Sequence, residues 1–112
     1  MSIKRSFNIE NLGQGYFHKM IDDSDPQIRA EVVKLIDQPG LHKMIDDPDH
    51  VIRTEIATII DQKGLHKMMK DKNLGVRLKV VRRINQEGLY RMIDDDNFFV
   101  KEEALRRLNE VN

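Results

Sequence analysis

The chain has 112 residues, equal numbers of basic and acidic side chains (19 of each) and no cysteine. This makes it one domain without a disulfide framework, a thiolate metal site or a thiol nucleophile, and no global field draws it to nucleic acid or an anionic membrane. No window approaches the roughly 18 apolar residues of a membrane span, and the N-terminal MSIKRSF has two bases but no apolar stretch behind them, so a soluble, cytoplasmic protein is expected.

Residues 1–15 read as an N-terminal cap or degraded half repeat. Moved forward by whole repeat periods, Arg5, Ile9, Leu12 and Gln14 fall on the positions of Arg53, Ala57, Ile60 and Gln62. From residue 16 the chain repeats itself every 24 residues, at 16–39, 40–63, 64–87 and 88–111. A fixed period of that size marks stacked supersecondary units, each unable to bury its apolar face alone.

Seven columns are apolar in all four copies: those of Leu41, Met44, Ile45, Ile52, Ile56, Ala57 and Ile60. The spacing of Leu41, Met44 and Ile45 predicts a short helix A, and that of Ile52, Ile56 and Ile60 a longer helix B. Asp25, Asp49, Asn73 and Asn97 stand where helix B needs an N-cap, with Pro26 at the first helical position of the first copy. After helix B comes Asp-Gln-x-Gly or Asn-Gln-x-Gly, and Gly40, Gly64 and Gly88 are expected to reverse the chain at positive φ. The fold class is all-α, an α-solenoid of four helix-turn-helix repeats.

One charged column sits inside the apolar arc of helix B. At about 100° per residue, Arg29, Arg53, Arg77 and Lys101 point into the stripe and must be paired there. Asp23, Asp47, Asp71 and Asp95, six residues earlier in each copy, are the acids expected to complete a structural ladder, together with turn carbonyls.

The segments Asp23 to Arg29 (DSDPQIR) and Asp47 to Arg53 (DPDHVIR) resemble the turn and second-helix start of HEAT-like repeats, including the short forms of phycobilisome-lyase-type proteins. The 24-residue period is similar to that of leucine-rich variant repeats. The resemblance covers nearly the whole chain and implies a right-handed superhelix with helix B on the concave side, in a family that mostly serves as binding scaffolds. The iron–sulfur cluster of the leucine-rich variant protein needs cysteines this chain lacks, and no His-Glu pair of the HEAT-repeat hydroxylases is present.

No catalytic or metal constellation emerges. His18, His42 and His66 share a column with Tyr90, but helices about 8–10 Å apart do not bring such side chains to one ion. The Met20, Met44, Met68 and Met92 column is core filler. Asp22-Asp23, Asp46-Asp47 and Asp94-Asp95-Asp96 lack calcium-loop spacing and suit turns and caps. No cofactor is expected.

Charge breaks the symmetry. Three repeats carry a small acidic excess, whereas the third carries seven bases against Asp71 and Glu87. Lys79, Arg82, Arg83, Arg106 and Arg107 are expected to form a basic strip on helix B beside an exposed Phe99. The expected activity is non-catalytic binding of a protein or peptide on that surface; the alternative is nucleic-acid binding by the same strip. Phe98 and Phe99, near an end without a covering repeat, allow either a monomer or an end-to-end homodimer.

Overall fold

The fold follows from a short cycle of capping and burial, repeated. In a computed structural model that describes residues 12 to 111, those residues form eight α-helices and no strand. In chain order they are α1 (Gln14–Lys19), α2 (Pro26–Leu35), α3 (Gln38–Lys43), α4 (His50–Ile59), α5 (Gln62–Lys67), α6 (Leu74–Arg83), α7 (Gln86–Met92) and α8 (Phe98–Val111). The odd helices are the predicted helices A and the even ones the predicted helices B. Most of residues 1–15, assigned to a cap, lie outside the described residues. None of the helices is long and apolar enough to cross a membrane.

Each helix B starts on two stacked side-chain caps. The cap residues Asp25, Asp49, Asn73 and Asn97 accept from Gln27 N, Val51 N, Val76 N and Phe99 N at 2.9, 2.8, 3.2 and 2.9 Å. One step earlier, Asp23, Asp47, Asp71 and Asp95 accept from the backbone N–H of those cap residues at 2.8–2.9 Å. Two donors that the turn would leave orphaned are satisfied, which is why an acid recurs at the earlier position and an acid or its amide at the cap.

Helix A begins differently from expectation. Asp37, Asp61 and Asn85 are its N-caps, accepting from Gly40 N, Gly64 N and Gly88 N at 2.9, 2.9 and 3.2 Å. The glycines therefore lie inside the first turn of helix A, and no glycine among the described residues takes a positive φ. Their role is close approach: a Cβ at Gly40, Gly64 or Gly88 would overlap Cγ1 and Cδ1 of Ile36, Ile60 or Ile84. The isoleucine that ends helix B lies flat on the start of the next helix A.

The chain divides into two compact units, one up to Ile56 and one from Ala57 onward. In the first, Phe17, Met20, Ile28, Val32, Val33, Ile36, Leu41, Met44 and Ile52 are buried. In the second, α6, α7 and α8 pack on one another, around Leu65, Met68, Val76, Val80, Val81, Ile84, Leu89, Met92, Val100 and Leu108. Two apolar columns depart from full burial. Ile21, Ile45, Met69 and Ile93 are half-buried, and Leu105 is 46 % exposed although Val33, Ala57 and Val81 in its column are covered.

The histidine column is tied to these caps. His18 Nε2 lies 2.8 Å from Asp37 Oδ1, and His66 Nε2 lies 2.9 Å from Asn85 Oδ1. The Lys43 ammonium sits 3.2 Å from His18 Nδ1, on the side of the ring away from Asp37. No group of residues able to hold a metal ion occurs among those described.

His18 first, and the Gly40 N–H second, hold the Asp37 carboxyl below its ordinary value. Because the folded-state value is depressed, Asp37 contributes stability that is complete above about pH 4, the ordinary carboxylate range, and is lost as pH falls through the depressed value. Carboxyl-detected NMR should therefore find Asp37 titrating below ordinary aspartates, and His18→Ala should move it upward. An unchanged midpoint in the variant would show that the contact does not act on Asp37.

Candidate functional site

The helix B surface of the second unit holds the residues singled out in the sequence, and the structure sorts them into two groups. Arg82, Phe99 and Arg106 line a groove of about 440 Å³ with Leu78, Glu102 and Glu103. Phe99 is 66 % exposed and Phe98 64 % exposed, and their rings meet edge to face with centroids 5.6 Å apart. Aromatic rings of this size normally dominate burial, so two exposed side by side form an unusual apolar surface.

Arg83 and Arg107 are turned elsewhere. Arg83 Nη1 donates to Ala57 O and Ile60 O at 2.8 and 2.9 Å, and Arg107 Nη1 donates to Val81 O and Ile84 O at 3.0 and 2.7 Å. Each cation closes the last carbonyls of the preceding helix B, where the helix dipole favours positive charge. The equivalent Leu35 and Ile59 are apolar and cannot donate to such carbonyls, so this closure belongs to the third and fourth repeats. Lys79 is half-buried on the same helix as Arg82.

Arg106 is engaged on its own helix. Its Nε and Nη2 reach Glu103 Oε1 and Oε2 at 2.8 and 2.7 Å, and Nη1 reaches Glu110 Oε2 at 2.9 Å. The Arg106 hydrogen bonds push the Glu103 carboxyl below its ordinary range, and Glu103 in turn holds Arg106 firmly protonated. Two carboxylates thus oppose this guanidinium, and the groove is mixed in charge, with Arg82 its remaining cation.

The ladder residues sit beneath the turns. Arg29 Nη1 donates to Asp23 O at 2.7 Å, and its Nε and Nη2 donate to Asp47 Oδ2 and Oδ1 at 2.9 and 3.3 Å. Arg77 repeats the pattern, with Nη1 to Asp71 O at 2.8 Å and Nε to Asp95 Oδ2 at 3.0 Å. Arg53 Nη1 donates to Asp47 O at 2.7 Å. The carbonyl comes from the arginine's own turn, and for Arg29 and Arg77 the carboxylate comes from the next one. Arg29, Arg53 and Asp47 are buried, and the hydrogen bond to Asp47 holds Arg29 protonated against desolvation. Lys101 is exposed.

A glutamine clamp adds a contact that helical periodicity does not indicate. Gln14 Nε2 donates to Leu35 O while Gln14 Oε1 accepts from Asp37 N, both at 2.9 Å. Gln62 does the same with Arg83 O and Asn85 N at 2.9 and 2.8 Å. An amide is needed because one group must donate and accept at once. The recurrence of Gln at this column is the signal the sequence offers, and Gln14 behaves as a member of it.

Comparison with protein-family models, with curated proteins and with solved structures finds no match to this chain.

Proposed function

We propose that the protein is a non-catalytic binding scaffold, an α-solenoid of HEAT-like repeats in a right-handed superhelix, acting in the cytoplasm and taking a protein or peptide on its helix B surface. The repeat period and the short connections support the solenoid, because repeats joined this closely have only their neighbours to cover them. The observation that carries the binding reading is Phe99, 66 % exposed, at the mouth of a groove that also holds Leu78 and Arg82. Aromatic side chains and arginine are both enriched at the cores of protein interfaces, and Phe99 and Arg82 supply one of each. Arg106 is opposed by two glutamates and Arg83 and Arg107 serve helix ends, which favours a protein partner over a phosphate backbone.

Capture of partners from lysate tests this. Phe99→Ser combined with Arg82→Glu should lose a partner that the wild type retains, with the thermal unfolding curve unchanged. Arg83→Leu should do the reverse, lowering stability while keeping capture. Equal capture by the wild type and the Phe99/Arg82 variant would remove this surface from the reading.

A further inference from the structure

A second surface of the same unit carries unused charge in an arrangement specific to the third and fourth repeats. A cavity of about 610 Å³ opens along the turn edge, over Arg77 and Asp95. The corresponding cavity of the first two repeats, over Arg29 and Asp47, holds about 300 Å³. Both are built from the same columns, so the difference lies in particular side chains. Lys70 replaces the acid found as Asp22, Asp46 and Asp94, and Lys72 replaces Ser24, Pro48 and Asp96.

The wider cavity consequently has walls of opposite sign. Lys70 and Lys72 lie on one turn and Asp94 and Asp96 on the next, all of them exposed. Among the described residues, Lys70, Lys72 and Asp94 form no ion pair, Asp96 pairs only with Arg77 at 3.8 Å, and Arg91, which also lines the cavity, pairs with Glu87, so the two walls do not close on each other. At the floor, Arg77 uses Nε and Nη1 on Asp95 and the Asp71 carbonyl. Its Nη2 is 3.8 Å from Asp96 Oδ1, beyond hydrogen-bond range. In the narrower cavity the equivalent Nη2 of Arg29 is closed on Asp47 at 3.3 Å. Arg77 Nη2 therefore makes no direct hydrogen bond, and the carboxylate facing it is that of Asp96 at ion-pair distance.

We propose that this groove binds an extended peptide in which acidic and basic side chains alternate. Successive side chains of an extended strand point to opposite sides, so the acids face Lys70 and Lys72 while the bases face Asp94 and the outer edge of Asp96. A purely acidic peptide would set its charges against the Asp94 wall, and a purely basic one would oppose the Lys70 wall. Alternation is what satisfies both. This surface is separate from the Phe99 groove, and neither reading depends on the other.

The test is fluorescence anisotropy at low ionic strength, where exposed charges are least screened, with a labelled, end-blocked hexapeptide of alternating Glu and Lys. Controls are a block peptide of three Glu then three Lys and an all-Glu hexapeptide. Lys70→Asp with Lys72→Ser installs the residues of the first repeat and should weaken the alternating peptide by about tenfold or more, a loss of about 1.4 kcal/mol. Asp94→Asn with Asp96→Asn, neutral changes at exposed positions, should do likewise, and circular dichroism verifies that both variants fold. The proposal is overturned by equal affinity for the variants, by block or all-Glu peptides binding as tightly as the alternating one, or by no binding of the alternating peptide at about 1 mM, weaker than a 4.1 kcal/mol interaction.

Discussion

Asp47→Ala should destabilise the protein by about 3–5 kcal/mol, the scale on which removing one partner of a buried pair acts. The Asp47 side chain is 2 % exposed and that of Arg29 11 %, and the carboxylate takes two guanidinium hydrogen bonds besides the Asp49 N–H. With the carboxylate gone, Arg29 retains the Asp23 carbonyl but no opposite charge within the pair. A lysine could lower the cost by shedding its proton; arginine cannot. Glu87→Ala offers the contrast, because the Arg91–Glu87 pair has side chains 61 % and 69 % exposed and such pairs contribute about 0–1 kcal/mol. Urea denaturation of both variants measures the difference. A loss below about 1 kcal/mol for Asp47→Ala would mean that water reaches Arg29 and that the ladder is a surface feature.

The second large effect is a change of sign. Ile60 is fully buried, so Ile60→Ala should cost about 2–5 kcal/mol through lost burial and a residual cavity. Gly64→Ala alone should also destabilise, by about 1–3 kcal/mol, because its methyl group overlaps Cγ1 and Cδ1 of an isoleucine packed on all sides. Introduced into Ile60→Ala, however, the same Gly64→Ala change enters the vacated space, and it should stabilise by up to about 1 kcal/mol through alanine's better helix propensity. The double-mutant cycle isolates this coupling. If Gly64→Ala has the same effect in both backgrounds, the glycine is selected for something other than the approach of Ile60.

Much of the fold is legible in the sequence because it rests on periodicity and on short-range chemistry. The columns of Leu41, Met44, Ile52 and Ile56 mark the two helices of each repeat, and Asp25, Asp49, Asn73 and Asn97 mark where the longer one begins. The glycines are misplaced by sequence reasoning because Asp-Gln-x-Gly satisfies two rules at once: a chain reversal after one helix and a capped first turn of the next. Choosing between them requires knowing that Ile36, Ile60 and Ile84 lie across the glycine, which is a packing contact.

The candidate site is legible by azimuth alone. A helical wheel places Arg82 and Arg106 on one bearing and Arg83 and Arg107 about 100° from it, yet it does not say whether a long side chain meets solvent, its own helix or the end of another. Arg106 turns to Glu103 and Glu110 on its own helix, and Arg83 and Arg107 reach carbonyls more than twenty residues back. The exposure of Phe99 is anticipated because its wheel position lies away from the buried Val100 and Ala104.

The offset of the ladder also bears on how such a gene can change length. Arg29 and Arg77 each find their carboxylate 18 residues ahead, across a block boundary. Excising the block 40–63 would bring Asp71 to the place of Asp47 ahead of Arg29, whereas losing half a block would leave that guanidinium without an acid at the same spacing. A deletion of residues 40–63 should therefore cost less stability than a deletion of twelve residues from the same region, as measured by urea denaturation.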